Sequence, residues 1–363
     1  MADTQTGTNG HAGTPYEDGR STIAVLIVSI LFGVPAGVYG AGNDEMSALF
    51  NFSNSGFPYL FFAKTSWNIG AAIVPLLFVP LTETSARIPG YFAREAKKWR
   101  KNNPDEEPRY AEAEIDMPSV ATRLEVSFKR PIKMLYTEWV VFSQTLWVSF
   151  AWGLLFLFQS SVTQIFSTNY NYNTFQTTLI QLSLSVGAII ATLVNPIQDH
   201  LYLQSAKRSK TGTPIPEARL HSSIPGSLLF TAGLFWYGWS SYPFLPWIVS
   251  TLGIGCVGFG IYSIYLAVVN YLTDSYEKYN ASALSAASLG RNTFGAFLPL
   301  ASPALYTNLG FQWGSSLLGF VALVLGLAPV LLLVKKEEIR KRSPFMKEAT
   351  FAKEARRTIE DGV

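Results

Sequence analysis

Apolar side chains run along this sequence in blocks far longer than any amphipathic repeat needs. Residues 139–198 pass without one Asp, Glu, Lys or Arg, as do 220–273, 292–334 and the shorter stretches 21–43 and 65–82. A helix crosses roughly 30 Å of hydrocarbon with about 20 apolar residues, so the longer blocks each hold two crossings. Windows of about 19 residues place spans at 22–42, 59–81, 138–159, 175–196, 223–241, 245–271, 282–305 and 313–334. The pattern predicts an all-α integral membrane protein with about eight transmembrane helices. It excludes a soluble enzyme, a nucleic-acid binder and a disordered scaffold.

Charge sets the orientation. Only 15% of the 363 residues are charged, against about 25% in soluble domains. Lys and Arg number one in 1–20, eleven in 82–134, four in 197–222, one in 272–281 and nine in 335–363. The alternate connections 43–58, 160–174, 242–244 and 306–312 hold none. Basic residues collect on the cytosolic side, so both termini are expected there. The first span, behind Arg20, is followed by Asp44 and Glu45 instead of a small-residue cleavage site, which predicts a retained helix, not a signal peptide. Asn51-Phe52-Ser53 is a glycosylation sequon on the expected outer side.

The connection 82–134 has two parts. Residues 93–116 are highly charged, while Val120, Leu124 and Phe128 recur at i, i+4, i+8 among Arg123, Lys129, Arg130 and Lys133. That is the pattern of a helix lying in the membrane interface, either recognising anionic lipid or simply resting on the bilayer. The expected organisation is a cytosolic tail (1–21), two spans (22–92), a central loop with an interfacial helix (93–134), six helices (135–334) and a basic tail (335–363).

Ionisable groups at membrane depth are costly and mark functional candidates. Arg291 is the deepest, and it either faces a cavity, pairs a carboxylate or snorkels back toward the cytosol. Lys64 lies near the outer surface, and Glu138 and Glu83 sit at cytosolic span ends where water is expected to reach them. Uncharged polar groups gather in the third span (Gln144, Trp147, Ser149, Trp152, Gln159) and in the sixth (Tyr262, Asn270). Gln144 and Trp147 are three apart and share a helix face. Such a face suits a cavity for organic, even cationic, ligands; interhelical hydrogen bonding accounts for it equally. Glycines crowd the sixth span at 253, 255, 258 and 260, and Pro299 and Pro303 interrupt the seventh. Cys256 is the single cysteine, and His11, His200 and His221 have no metal-ligand spacing. No enzyme signature, metal or cofactor is expected.

Several motifs carry a family resemblance. Residues 80–89, Pro-Leu-Thr-Glu-Thr-Ser-Ala-Arg-Ile-Pro, resemble the cytoplasmic motif after the second span of major facilitator superfamily transporters, which in fungal drug:proton antiporters reads close to P-L-S-E-x-x-G-R-R-P. Residues 147–153 (Trp-Val-Ser-Phe-Ala-Trp-Gly) are similar to that group's seventh span, and Asn195-Pro196 and 216–220 (Pro-Glu-Ala-Arg-Leu) to the eighth span's end and the loop beyond. Residues 270–276, 281–283 and Arg291 resemble the tenth-to-eleventh region, and Asn308-Leu309-Gly310 with 313–319 the start of the twelfth. The family has twelve spans; here residues resembling the central loop follow Phe92, so the fold is read as major facilitator type lacking spans three to six. Ala86 and Ile88 depart from the motif's usual glycine and basic residue.

The resemblance implies alternating access and proton-driven export of small organic compounds, drug-like or polyamine-like, across the plasma membrane. Glu83 and Arg87 would form the cytosolic gate; Gln144, Trp147, Asn270 and Arg291 would line or bias the substrate cavity. The partners implied are a small molecule, protons and the lipid bilayer, with no nucleic acid. The alternative is a truncated, non-transporting membrane protein, or an interaction partner of full-length relatives. Six helices facing only two would leave polar groups toward lipid, so an unstable monomer or a compensating oligomer is expected.

Overall fold

A computed structural model describes residues 98–101, 120–208, 216–221 and 223–348. The chain divides into two units, Met1–Leu60 and Phe61–Val363, and every described residue belongs to the second. Spans one and two, Lys64, the sequon and the Glu83–Arg87 motif lie outside the described residues.

Helices follow one another with short connections: α1 (Val120–Thr137), α2 (Trp139–Tyr170), α3 (Thr174–Arg208), a 3₁₀ turn (Pro216–Leu220), α4 (Ser223–Trp239), α5 (Trp247–Tyr276), a second 3₁₀ turn (Glu277–Tyr279), α6 (Asn280–Leu325), α7 (Leu327–Val334) and α8 (Lys336–Arg342). Among the described residues there is no β-strand. Among the described residues four segments, Trp139–Tyr170, Phe175–Tyr202, Trp247–Tyr276 and Asn280–Val334, are long and apolar enough to cross a membrane. The last has 55 residues, about 80 Å at the helical rise, which is far more than one crossing. Gly310 divides it: its φ of 73° and ψ of 168° are non-helical, a conformation essentially reserved for glycine.

α2 and α3 overrun the spans read from hydropathy, which end at 159 and 196. Hydropathy records tolerance for lipid, whereas the helical ladder continues wherever backbone bonds can form. Past Gln159 the polar side chains bond back to the helix, as Thr163 does to the Gln159 carbonyl at 3.1 Å. α2 stops only at Asn171, whose φ of 54° makes a left-handed cap with its N–H on the Phe166 carbonyl.

Packing separates the helices by role. α2 is 78% buried over its most apolar stretch and α3 only 28%, so α2 is a core helix and α3 a lipid-facing one. Leu179, Leu182, Val186, Ile189, Leu193 and Ile197 form an exposed stripe along α3, the inverse of a soluble helix. α5 packs against α2, α3 and α4, and α6 lies along α2. The α5 glycines explain how it packs so closely on two sides: a Cβ on Gly258 would sit 2.2 Å from the Leu184 carbonyl of α3, and one on Gly260 2.4 Å from Phe230 of α4. Small residues permit such helix contact. Exposed aromatics mark both ends, with Tyr136, Trp139 and Phe142 at one and Phe175, Trp239, Trp247 and Trp313 at the other, as interfacial belts do.

α1 turns Ser127 and Met134 inward and leaves Phe128 exposed, and its protein contact is with α6 and α2. Between α1, Tyr279 and Phe345 lies a cleft of about 550 Å³ that is also lined by Glu125, Val126, Lys129, Arg130 and Lys133. The hydrogen bond from Lys129, 2.5 Å away, holds the Glu125 carboxyl below its ordinary range.

Candidate functional site

Two glycines bring α2 and α6 together. A Cβ on Gly290 would meet Ser149 Oγ and Thr145 Cγ2, each at 2.5 Å, and one on Gly153 would lie 3.1 Å from the Phe294 carbonyl oxygen. With α6 pressed onto α2 here, the residue after Gly290 reaches the aromatic side chains beside it. The Arg291 guanidinium carbon lies 5.2 Å from the Trp152 ring centroid and 4.9 Å from that of Tyr265 on α5. The two rings are themselves 5.7 Å apart with planes inclined by 33°. Phe156 continues the wall, 6.2 Å from Trp152 in an edge-on contact.

The three residues share a depth. At roughly 1.5 Å per residue, Trp152, Tyr265 and Arg291 lie about 4, 5 and 5 Å from the midpoints of residues 139–170, 247–276 and 280–309. All three are displaced toward the end that holds Glu138 and Tyr276. The site therefore lies near the middle of these helices, and a guanidinium at membrane depth is expensive. The guanidinium lies over rings that attract cations, yet Nε is buried with no hydrogen-bond partner among the described residues.

The other expected cavity residues are placed differently. Gln144 and Trp147 are fully buried in α2, about 16 and 11 Å from its midpoint. Both side-chain polar atoms of Gln144, Nε1 of Trp147 and the hydroxyls of Thr145 and Ser149 are buried without hydrogen-bond partners among the described residues. Asn270 is half-buried on α5, about 13 Å from that helix's midpoint. Arg291 thus joins Trp152 and Tyr265, not Trp147. Tyr265 is the residue that sequence reading missed; its only signal was its occurrence in a polar-bearing span opposite an intramembrane arginine.

Glu138 corrects an expectation. Its position at a span end suggested access to water, but it is 1% exposed. Its carboxylate accepts hydrogen bonds from the Tyr276 hydroxyl at 3.1 Å, from the Ser343 hydroxyl and from the Phe345 N–H at 3.2 Å. The segment after α8 therefore folds back over the helix ends. Arg340 of α8 reaches Glu217 of the first 3₁₀ turn at 3.0 Å, and Tyr279 donates to Glu348 at 2.5 Å. At the same end, Asp274 accepts from Tyr202 at 2.8 Å and from Arg219 at 3.2 Å, and Arg219 lies over the Tyr202 ring. Among the described residues no cluster of His, Cys, Asp and Glu is arranged to hold a metal ion.

A bundle of apolar helices with a guanidinium–aromatic site near their middle defines a helical membrane protein. Comparison with known proteins gives its family. The chain is 32% identical over 349 residues to the efflux pump atB of Aspergillus terreus, covering 93% of this chain and 72% of that protein. It is 36% identical over 282 residues to the MFS transporter cpaT of Aspergillus oryzae, covering 76% and 55%. It is 32% identical over 254 residues to the multidrug transporter FLU1 of Candida albicans, covering 69% and 40%. The chain belongs to the major facilitator superfamily. It spans about half the length of most of the relatives it matches. No family model and no solved structure matches it.

Proposed function

We propose that this protein exports small organic compounds by proton antiport through alternating access, with both termini cytosolic in the plasma membrane. What supports this reading is the Trp152–Tyr265–Arg291 site near the helix midpoints, since transporters of alternating-access type bind substrate at the bilayer midplane. In this reading residues 22–92 and 135–334 are the two unequal halves, 93–134 links them, and 335–363 is a cytosolic tail. Glu83 and Arg87 serve as the gate, outside the described residues. Gln144 and Trp147, whose buried polar atoms have no partner among the described residues, line with Asn270 the substrate's way to the midplane site.

A second reading is favoured by one observation: residues resembling the family's central loop follow directly on the second span, at Ala93. On that reading the chain is a non-transporting product, or a partner of full-length relatives. Efflux from cells lacking their own exporters separates the two. The 363-residue chain and a version with spans three to six restored are expressed at matched surface levels. Dye export by the shorter form, reduced in Glu83→Gln, establishes the transporter; export by the restored form alone establishes the second reading.

A further inference from the structure

We infer that the compounds this protein binds are organic anions, flat apolar bodies carrying a carboxylate or equivalent oxyanion that docks on Arg291. The inference rests on the midplane site proposed above and names its substrate class. A cation about 5 Å from the midpoint of residues 280–309 is stable only when something balances it. The sequence offers no carboxylate within 139–198, 220–273 or 292–334, so α2, α5 and α6 bring none to this depth. The described carboxylates just before α2 and on α5 are already engaged at the helix ends, Glu138 by Tyr276 and Ser343, and Asp274 by Arg219 and Tyr202.

Trp152 and Tyr265 engage Arg291 through their rings. A guanidinium is a planar fork whose N–H donors match an oxyanion in two parallel bonds. The buried, unpartnered Nε is one prong of that fork. The same rings, with Phe156 beyond Trp152, offer an apolar wall to the body of an aromatic acid.

A cationic ligand fares differently. The site's aromatic rings are the features that would attract it, and the protein's own guanidinium already occupies them. A polyamine, one of the two substrate classes implied by the family resemblance, would add positive charge beside an uncompensated one in a low-dielectric interior.

The test is titration calorimetry on the purified full chain in lipid nanodiscs with three probes of one shape: 2-naphthoic acid, its methyl ester and 2-naphthylmethylamine. The acid is expected to bind at least tenfold more tightly than the ester, and the amine more weakly than either. Arg291→Gln should remove the acid's advantage over the ester, about ten- to hundredfold; Arg291→Lys should retain part of it. Equal binding of acid and ester, tighter binding of the amine, or an acid preference that survives Arg291→Gln overturns the inference. Efflux of the same probes separates this result from the transport reading. Arg291-dependent binding without export leaves the anion site standing and removes the exporter, whereas export of the amine without acid binding does the reverse.

Discussion

The carboxylate of Glu138, the residue just before α2, accepts the Tyr276 hydroxyl from the last turn of α5 across 3.1 Å, though the two are 138 residues apart. The same buried group holds Ser343 and the Phe345 N–H. One carboxylate therefore ties a core helix, its neighbour's end and the chain's basic tail into one assembly.

Glu138→Ala should free the tail and leave three donors without an acceptor. Hydrogen bonds to charged groups contribute about 1.5–3 kcal/mol each, so a loss of about 3 kcal/mol in stability is expected. Limited proteolysis between residues 335 and 348, with thermal unfolding in mild detergent, reads both effects. Glu138→Gln, which keeps acceptor capacity, should be the milder change; equal behaviour of the two would show that the carboxylate is not the anchor.

The packing of α5 on α3 predicts a graded glycine series. Gly258→Ala places a methyl 2.2 Å from the Leu184 carbonyl oxygen, while Gly255→Ala meets only the Ser183 carbonyl oxygen at 3.6 Å. Overpacking costs about 1–3 kcal/mol where backbone must move. Gly258→Ala should therefore lower the melting temperature clearly and Gly255→Ala hardly at all. The reverse order in a thermal-shift assay contradicts this helix register.

Gly310 should resist substitution for a different reason. With φ at 73° and ψ at 168°, a side chain is strained there even though the nearest neighbour to an added Cβ, Gln312 Oε1, is 3.7 Å away. Gly310→Ala is expected to cost about 1–3 kcal/mol, seen as reduced thermostability. A neutral result would mean that α6 turns elsewhere.

The solution state tests the unequal halves. Residues 135–334 present buried polar atoms such as Gln144 and Ser302 without partners among the described residues, and lipid cannot satisfy polar groups. Light scattering in mild detergent should find an oligomer or a steadily aggregating chain. A stable, monodisperse monomer contradicts the expectation.

Much of this molecule is legible one residue at a time. Uncharged runs such as 292–334 declare membrane helices because hydrocarbon excludes charge whatever the fold. Arg291 declares itself a candidate for the same reason, as an isolated cation at depth. The family is legible in local motifs such as 216–220, whose residues are contiguous. What only the tertiary structure decides is partnership. Many aromatics occupy these spans, and nothing in their spacing says that Tyr265 and Trp152 are the ones Arg291 meets; the Gly290 and Gly153 contacts of α6 with α2 choose them. Glu138 looks like a hydrated span end until Ser343 and Phe345, more than 200 residues later, close over it. Hydropathy is a property of each side chain against its solvent, and one dimension suffices to read it. Hydrogen bonds and ring contacts depend on which helices lie side by side, and that is settled by close packing of the whole bundle.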